Sequence, residues 1–282
     1  VPGPVHVPRE VMAAGGIDFG AADLEADFLD LYNRTESRLQ TLMGTRNRVV
    51  IQTGEGMVAL WSALKSCLAP GDRVLSLVTG VFGEGIGDMA HSAGAEVRKV
   101  SVPYNETLTN LSSVETAIKS FHPKMITLVH CETPSGTLNP VDGIGELKRR
   151  YEVPLLYVDG VSSIGGVPIY SDEWHVDLML GGAQKCLSSS PGMAFLSVSD
   201  RAWGVVDAVD YAGYDALKPF RTAVENFFFP YTPNWQGTAM LDAAAGRILG
   251  EGLTESAARH ASVAAGCRDR LREMGLSLFP SS

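Results

Sequence analysis

The chain has 282 residues, 45% of them apolar, with 23 basic against 32 acidic side chains and a formal net charge of −9. That apolar content can bury a core and excludes a disordered chain, and the lack of a basic excess argues against a nucleic-acid binder. Four cysteines, at 67, 131, 186 and 267, without a CxxC pair, exclude a disulfide scaffold. No apolar run approaches the ~20 residues that span a bilayer. A cytoplasmic protein with reduced thiols is expected, of one large domain or a little more.

Residues 48–52 (RVVIQ) predict a short strand ending in Thr53-Gly54-Glu55-Gly56, with a helix over 57–68. After the turn Pro70-Gly71-Asp72, residues 73–78 predict a strand, 80–87 a glycine-rich loop continued by helix at 88–93, and 96–100 a strand. Residues 112–121 predict a helix with Ser112-Ser113 at its N-cap and Glu115 three residues on, a capping box. Residues 124–130 (KMITLVH) and 154–158 (PLLYV) read as buried strands, with a helix over 140–151 between them and Asp159 closing the second. Strands follow at 176–180 and 193–198. Residues 226–233 (NFFFPYTP) are aromatic and proline-broken, a loop or a contact surface, and 237–250 and 254–274 predict helices. Strands apolar on both faces, alternating with helices, indicate an α/β fold with a mostly parallel sheet. In such sheets ligands sit beyond the carboxyl ends of the strands.

Two residues at those ends carry chemistry. Asp159 follows an apolar run, where a carboxylate is costly without a cation; alone it also reads as a turn or cap aspartate. Lys185, among small residues in Gly181-Gly182-Ala183-Gln184-Lys185-Cys186, reads as a surface lysine or as a buried one able to form a Schiff base. Together they match the needs of pyridoxal chemistry. The lysine holds an aldehyde, and the aspartate keeps a pyridine nitrogen protonated. Phe82 is placed to stack on one ring face and Val161 to press the other. Thr133 can donate to the ring hydroxyl. The loop over 53–57, opening a helix, can hold an anion such as phosphate.

The sequence resembles the fold-type I, class V aminotransferases, nearest in pattern to alanine– or serine–glyoxylate and pyridoxamine–pyruvate aminotransferases. Seven segments carry the likeness in family order: Gly3-Pro4-Val5, Thr53-Gly54-Glu55-Gly56-Met57, Gly80-Val81-Phe82-Gly83, Val102-Pro103-Tyr104-Asn105-Glu106, Glu132-Thr133-Pro134-Ser135-Gly136, Val158-Asp159-Gly160-Val161-Ser162-Ser163 and Gly182-Ala183-Gln184-Lys185-Cys186. The resemblance implies a three-layer α/β/α large domain with a mainly parallel seven-stranded sheet and pyridoxal 5'-phosphate as cofactor. It makes Lys185 the Schiff-base lysine and proton shuttle and Asp159 the partner of the ring nitrogen. Glu55, Gly56, Met57, Phe82, Thr133, Val161 and Gln184 then surround the cofactor. Tyr231 and Thr232 reach across a homodimer interface to the neighbour's phosphate, and the arm at Gly3 and Pro4 lines the substrate entrance. The implied division is an arm at 1–18, a cofactor domain at 19–250, and at 251–282 the start of a small C-terminal domain that is otherwise absent.

Two departures stand out. Glu55 occupies a position where the glyoxylate enzymes have a small hydroxyl residue, and a carboxylate repels a phosphate dianion. Either Glu55 turns outward as a helix-start acid, or a cation intervenes, or the site prefers a B6 ring without phosphate. The second departure is the missing carboxylate-clamping arginine of the small domain; none of the arginines from 201 to 272 matches it. The expected function is transamination between alanine or serine and glyoxylate or pyruvate through Lys185. The alternatives are pyridoxamine–pyruvate transfer with unphosphorylated B6 and a truncated, non-catalytic dimeric module. Cysteine desulfuration is disfavoured, with Cys186 read as packing, and six scattered histidines give zinc no support.

Overall fold

Helix and strand alternate over residues 26–159 in a computed structural model that describes residues 3–17 and 19–281. Residues 1, 2 and 18 of the expected arm and residue 282 of the expected C-terminal segment lie outside the described residues. The elements run α1 (Arg9–Ala14), α2 (Ala26–Met43), β1 (Arg48–Thr53), α3 (Gly56–Cys67), β2 (Arg73–Val78), α4 (Val81–Ser92), β3 (Glu96–Ser101), α5 (Ser112–Phe121), β4 (Met125–Val129), α6 (Val141–Arg150), β5 (Leu155–Asp159), β6 (Leu178–Gly182), β7 (Met193–Val198), α7 (Asp200–Val209), α8 (Trp235–Glu251) and α9 (Leu253–Glu273).

The strands form one sheet of order β1-β7-β6-β5-β4-β2-β3. β2 pairs in parallel with β3 and β4, β4 with β5, and β5 with β6; β7 alone is reversed, antiparallel to β6 and β1. The expectation of a mainly parallel seven-stranded α/β sheet holds. Every residue of β4, β5, β6 and β7 is buried, which requires helices on both faces. β3 closes one edge with exposed Glu96, Arg98 and Lys99, charges that discourage pairing with another chain.

Since β1, β2, β4, β5 and β6 point the same way, Thr53, Val78, Val129, Asp159 and Gly182 end on one rim. Apart from Tyr231 and Thr232, every expected cofactor residue lies on that rim or on the segments leaving it.

Local expectations fail in three places. The glycine-rich stretch from 80 is helix from Val81 onward. A Cβ on Gly83 would come within 2.9 Å of the Leu77 carbonyl oxygen, and one on Gly87 within 3.0 Å of Ser76 Oγ. These glycines let α4 lie tight on β2, and that packing outweighs their poor helix propensity. The capping box at Ser112 is not formed. Leu111 is the N-cap, Asn110 Oδ1 accepts from Ser112 N at 3.0 Å, and the Glu115 carboxylate instead meets Tyr151 and Lys119. β6 starts two residues later than expected, so Gly181 and Gly182 are strand residues. Among the described residues no strand follows α9, and Ser281 N donates to Asn105 O at 2.8 Å.

One buried ion pair sets the relation of the two strands that lead into the rim. Lys148 on α6 meets Asp177 Oδ2 at 2.9 Å, with both side chains buried. Asp177 also accepts from Leu156 N, at 2.8 Å, and from the Ser199 hydroxyl, at 2.9 Å, tying β5 to the entry of β6 and the cap of α7. Replacing Lys148 with Met leaves this carboxylate buried without its cation and is expected to lower stability by about 3 kcal/mol in urea unfolding. A loss below ~1 kcal/mol, the size typical of a surface pair, would show the pair to be dispensable.

Candidate active site

A cavity of about 120 Å³ opens at the carboxyl rim. Cavities of similar size accept a single aromatic ring. It brings together Glu55, Gly56 and Met57 after β1, Phe82 after β2, Thr133 after β4, Asp159 and Val161 at β5, and Gln184 and Lys185 after β6. Leu60 and Ser162 also line it and were not anticipated as site residues. Leu60 lies one helical turn beyond Gly56 and Met57, so the 3.6-residue period carried that signal. Larger hollows, of about 820 and 950 Å³, lie elsewhere. The first is at the opposite rim, where its Lys119 and Lys124 are paired with Glu115 and Asp72. The second lies between α9 and the 135–138 segment and holds no buried titratable group.

Asp159 is the last residue of β5 and is 4% exposed. Its Oδ1 accepts from Val161 N at 2.8 Å, while Oδ2 makes no hydrogen bond among the described residues. Burial pushes its carboxyl up to about 6; the Val161 N–H pulls it down, Glu132 pushes it up and Lys185 pulls it down. Lys185 is half-buried, and its ammonium has neither a hydrogen bond nor an ion pair among the described residues. The N-terminal arm lies over it. Val5 N donates to Gln184 O at 3.2 Å, and a Cβ on Gly3 would fall 2.8 Å from Lys185 Cδ. Gly3 has φ 142°, a backbone conformation that favours glycine.

Glu55 is the N-cap of α3, with Oε1 accepting from Met57 N at 3.1 Å. Its other oxygen accepts from Gln184 Nε2 at 3.3 Å. It is therefore a helix-start acid, as one reading held, but it faces the cavity instead of solvent. Gln184 Oε1 is buried without a partner among the described residues. The Thr133 hydroxyl lies 2.5 Å from that of Ser162, so the two act as a pair.

Tyr231 and Thr232 do not line the cavity. The Tyr231 hydroxyl accepts from Thr53 N at 3.2 Å, its ring stacks on Tyr214 with centroids 4.5 Å apart, and Thr232 is exposed. The aromatic stretch divides: Phe229 is buried against Phe28 and Tyr32, while Phe228 is 67% exposed. Cys186 is partly buried, its Sγ 3.5 Å from Ser162 O. Among the described residues no arginine lines the cavity; Arg221, Arg247, Arg259, Arg270 and Arg272 all pair with acids elsewhere. Among the described residues there is no cluster fit for a metal ion and no helix long and apolar enough to cross a membrane.

Residues 12–280 match the family described as Aminotransferase class-V. The chain belongs to the class-V aminotransferases. It is 34% identical to a pyridoxamine–pyruvate transaminase of Mesorhizobium japonicum, covering 99% of this chain and 72% of the relative. It is 32% identical to an alanine–glyoxylate aminotransferase of Oryctolagus cuniculus, covering 99% and 72%. The crystal structure of an alanine–glyoxylate aminotransferase from Nostoc sp. superposes with a TM-score of 0.93 at 32% identity, covering 98% of this chain and 74% of that one.

Enzymes of this family use pyridoxal phosphate, and the cavity of this class-V aminotransferase can be tested against it. The ring end fits: an unpaired lysine and a buried carboxylate with one open oxygen share a cavity walled by Phe82 and Val161. The phosphate end fits poorly, because Glu55 already fills the anion position at the start of α3.

Asp159 yields a pH-dependent prediction for the vitamer-free protein. A carboxyl raised to about 6 when folded, against about 4 when unfolded, makes the native state hold the extra proton. Stability then falls as pH rises from about 4 to about 6 and is flat above. Asp159→Asn is expected to be the more stable protein by on the order of 2–3 kcal/mol at pH 7.5, with the gain vanishing towards pH ~4. A pH-independent difference in denaturant unfolding would contradict this.

Proposed function

We propose that the cavity transaminates a small amino acid, of the alanine or serine class, with glyoxylate or pyruvate, and that Lys185 and Asp159 carry the reaction. One observation supports this above the others: the unpaired Lys185 amine and the open Oδ2 of Asp159 line one cavity at the carboxyl rim. The relatives named alanine–glyoxylate and pyridoxamine–pyruvate enzymes support the substrate class. When bound, pyridoxal phosphate supplies an aldehyde carbon and a ring that accepts electrons. Lys185 Nζ takes the proton from the donor's α-carbon and in the second half-reaction returns one to the α-carbon of the oxo acid. Asp159 Oδ2 holds a proton at the ring nitrogen. Phe82 and Val161 would hold the ring between them.

The same reading makes the protein a homodimer in which Tyr231 and Thr232 of each copy serve the neighbouring site. The exposed Phe228 and Tyr214, each 67% accessible in the single chain, suit an apolar interface. A solution mass near twice 30.1 kDa by light scattering is the expected result.

Wild-type protein mixed with pyridoxal phosphate is expected to turn yellow and to bleach with borohydride. Lys185→Ala does neither and transaminates roughly a thousandfold more slowly. Protein that takes up no B6 vitamer overturns the reading, and measurable turnover excludes the non-catalytic alternative.

Glu55 favours a second reading, in which the site takes the unphosphorylated ring, as in pyridoxamine–pyruvate transfer. Its carboxylate caps α3 and contacts Gln184, where a phosphate would otherwise sit. On this reading pyridoxal binds more tightly than pyridoxal phosphate, and Glu55→Ser reverses the order, tightening the phosphate form by on the order of tenfold to a hundredfold. Tighter binding of pyridoxal phosphate by wild type rejects it.

A further inference from the structure

Glu132 is a carboxylate with no exposed surface, next in sequence to the cavity residue Thr133 but outside the cavity lining. Its Oε1 accepts from Gly83 N at 2.8 Å and its Oε2 from Phe82 N at 3.3 Å. These are free N–H groups of the first turn of α4, which has no side-chain cap of its own. Its own backbone is held as well, with Glu132 N donating to Thr137 O at 3.0 Å and Gly136 N donating to Glu132 O at 2.8 Å. The side chain reaches the helix through a gap kept by Gly80, where a Cβ would stand 2.4 Å from Glu132 Cδ. Gly80 is extended, at φ 177°, so its lack of a side chain serves this approach and not an unusual backbone.

We infer that Glu132 is a positioning residue: by clamping the first turn of α4 to the segment after β4, it sets Phe82 and Thr133 as one unit on the face and edge of the cofactor ring. The inference rests on the cofactor reading of the cavity given above. Nothing local would otherwise fix Phe82. It is 37% exposed and lies in the first turn of a helix with no side-chain cap of its own. A buried carboxylate that accepts two backbone N–H groups removes that freedom, since losing either bond leaves a buried charge short of a partner. Burial raises the carboxyl above its ordinary range and the two N–H groups lower it, so the helix end is also what keeps the group usable as an acceptor.

The clamp can be separated from a purely structural role and from electrostatics. Glu132 pushes the Asp159 carboxyl upward. A neutral residue at 132 changes the charge of the site as well as the clamp, whereas Gly80→Ala keeps the carboxylate and displaces it. Weaker binding shared by both variants therefore reports lost position.

The test titrates pyridoxal phosphate and pyridoxal into wild type, Glu132→Gln, Gly80→Ala, Phe82→Leu and the double variant Phe82→Leu/Glu132→Gln. It follows affinity and the circular dichroism induced in the bound vitamer, with folding checked by thermal melting. Glu132→Gln and Gly80→Ala are each expected to weaken binding roughly threefold to tenfold and to shrink the induced dichroism. The double variant should bind within about twofold of Phe82→Leu alone, because the residue being positioned is gone. Gly80→Ala keeps the charge and displaces it, so the test stands even if Glu132→Gln fails to fold. Variants that melt earlier yet keep wild-type affinity and dichroism overturn the inference, as does strict additivity in the double variant. Wild type that binds neither vitamer overturns the cofactor reading first and this one with it.

Discussion

A carboxylate at the end of a buried strand needs a cation, and this rim holds more carboxylate than cation. Asp159, Glu132 and Glu55 stand in or beside a cavity whose one basic side chain among the described residues is Lys185. The strain of that imbalance shows in Asp159, held up to about 6 by burial, with Glu132 adding to the shift and Lys185 only partly offsetting it. A ring carrying a positive nitrogen relieves the imbalance, whereas a phosphate dianion aggravates it. The parallel sheet produces the imbalance, because it gathers six strand ends on one side and so concentrates whatever those ends carry.

Backbone dipoles handle the two carboxylates that Asp159 does not account for. Glu55 caps α3 and Glu132 caps α4, so each sits on a helix N-terminus, where free N–H groups and the helix dipole favour negative charge. A helix start that receives a carboxylate from its own chain has less to offer an incoming anion. α4 is closed in this way from 50 residues downstream, while α3 is closed from two residues upstream of the N–H it satisfies. Fully buried Glu132 can leave only if α4 is reseated; the Glu55 side chain is held by one backbone bond and one long amide contact, and a rotamer change can release it.

Much of this was legible in the sequence because it depends on residues close in the chain or at strand ends. Apolar runs closed by Asp159, or by Gly181-Gly182 before Lys185, announce buried strands feeding a rim, and each strand lies within two residues of its expected place. The failures share a cause. Glycines 80, 83 and 87 read as a loop because propensity penalises them in helices, yet two of them pack a helix against β2 and the third admits Glu132. Ser112 and Glu115 have the spacing of a capping box, but Tyr151 and Lys119 compete for Glu115. The Thr133–Ser162 hydroxyl pair joins residues 29 apart. Partners brought together by the sheet leave no mark in local spacing.

That difference also separates what can vary in this site from what cannot. A residue such as Glu55, bonded to its own helix turn, can be exchanged for a hydroxyl without moving any other element, because serine caps the same N–H groups. Such a position is suited to setting which form of the ring is accepted. Glu132 spans two connections of the sheet, fills the space left by Gly80 and touches the backbone of the ring-facing residue. Changing it changes the distance between α4 and the segment after β4, and so the cavity itself. On the proposed cofactor reading, specificity at the phosphate end and geometry at the ring end rest on the same chemical group, a carboxylate on a helix start, separated only by how far along the chain each one reaches.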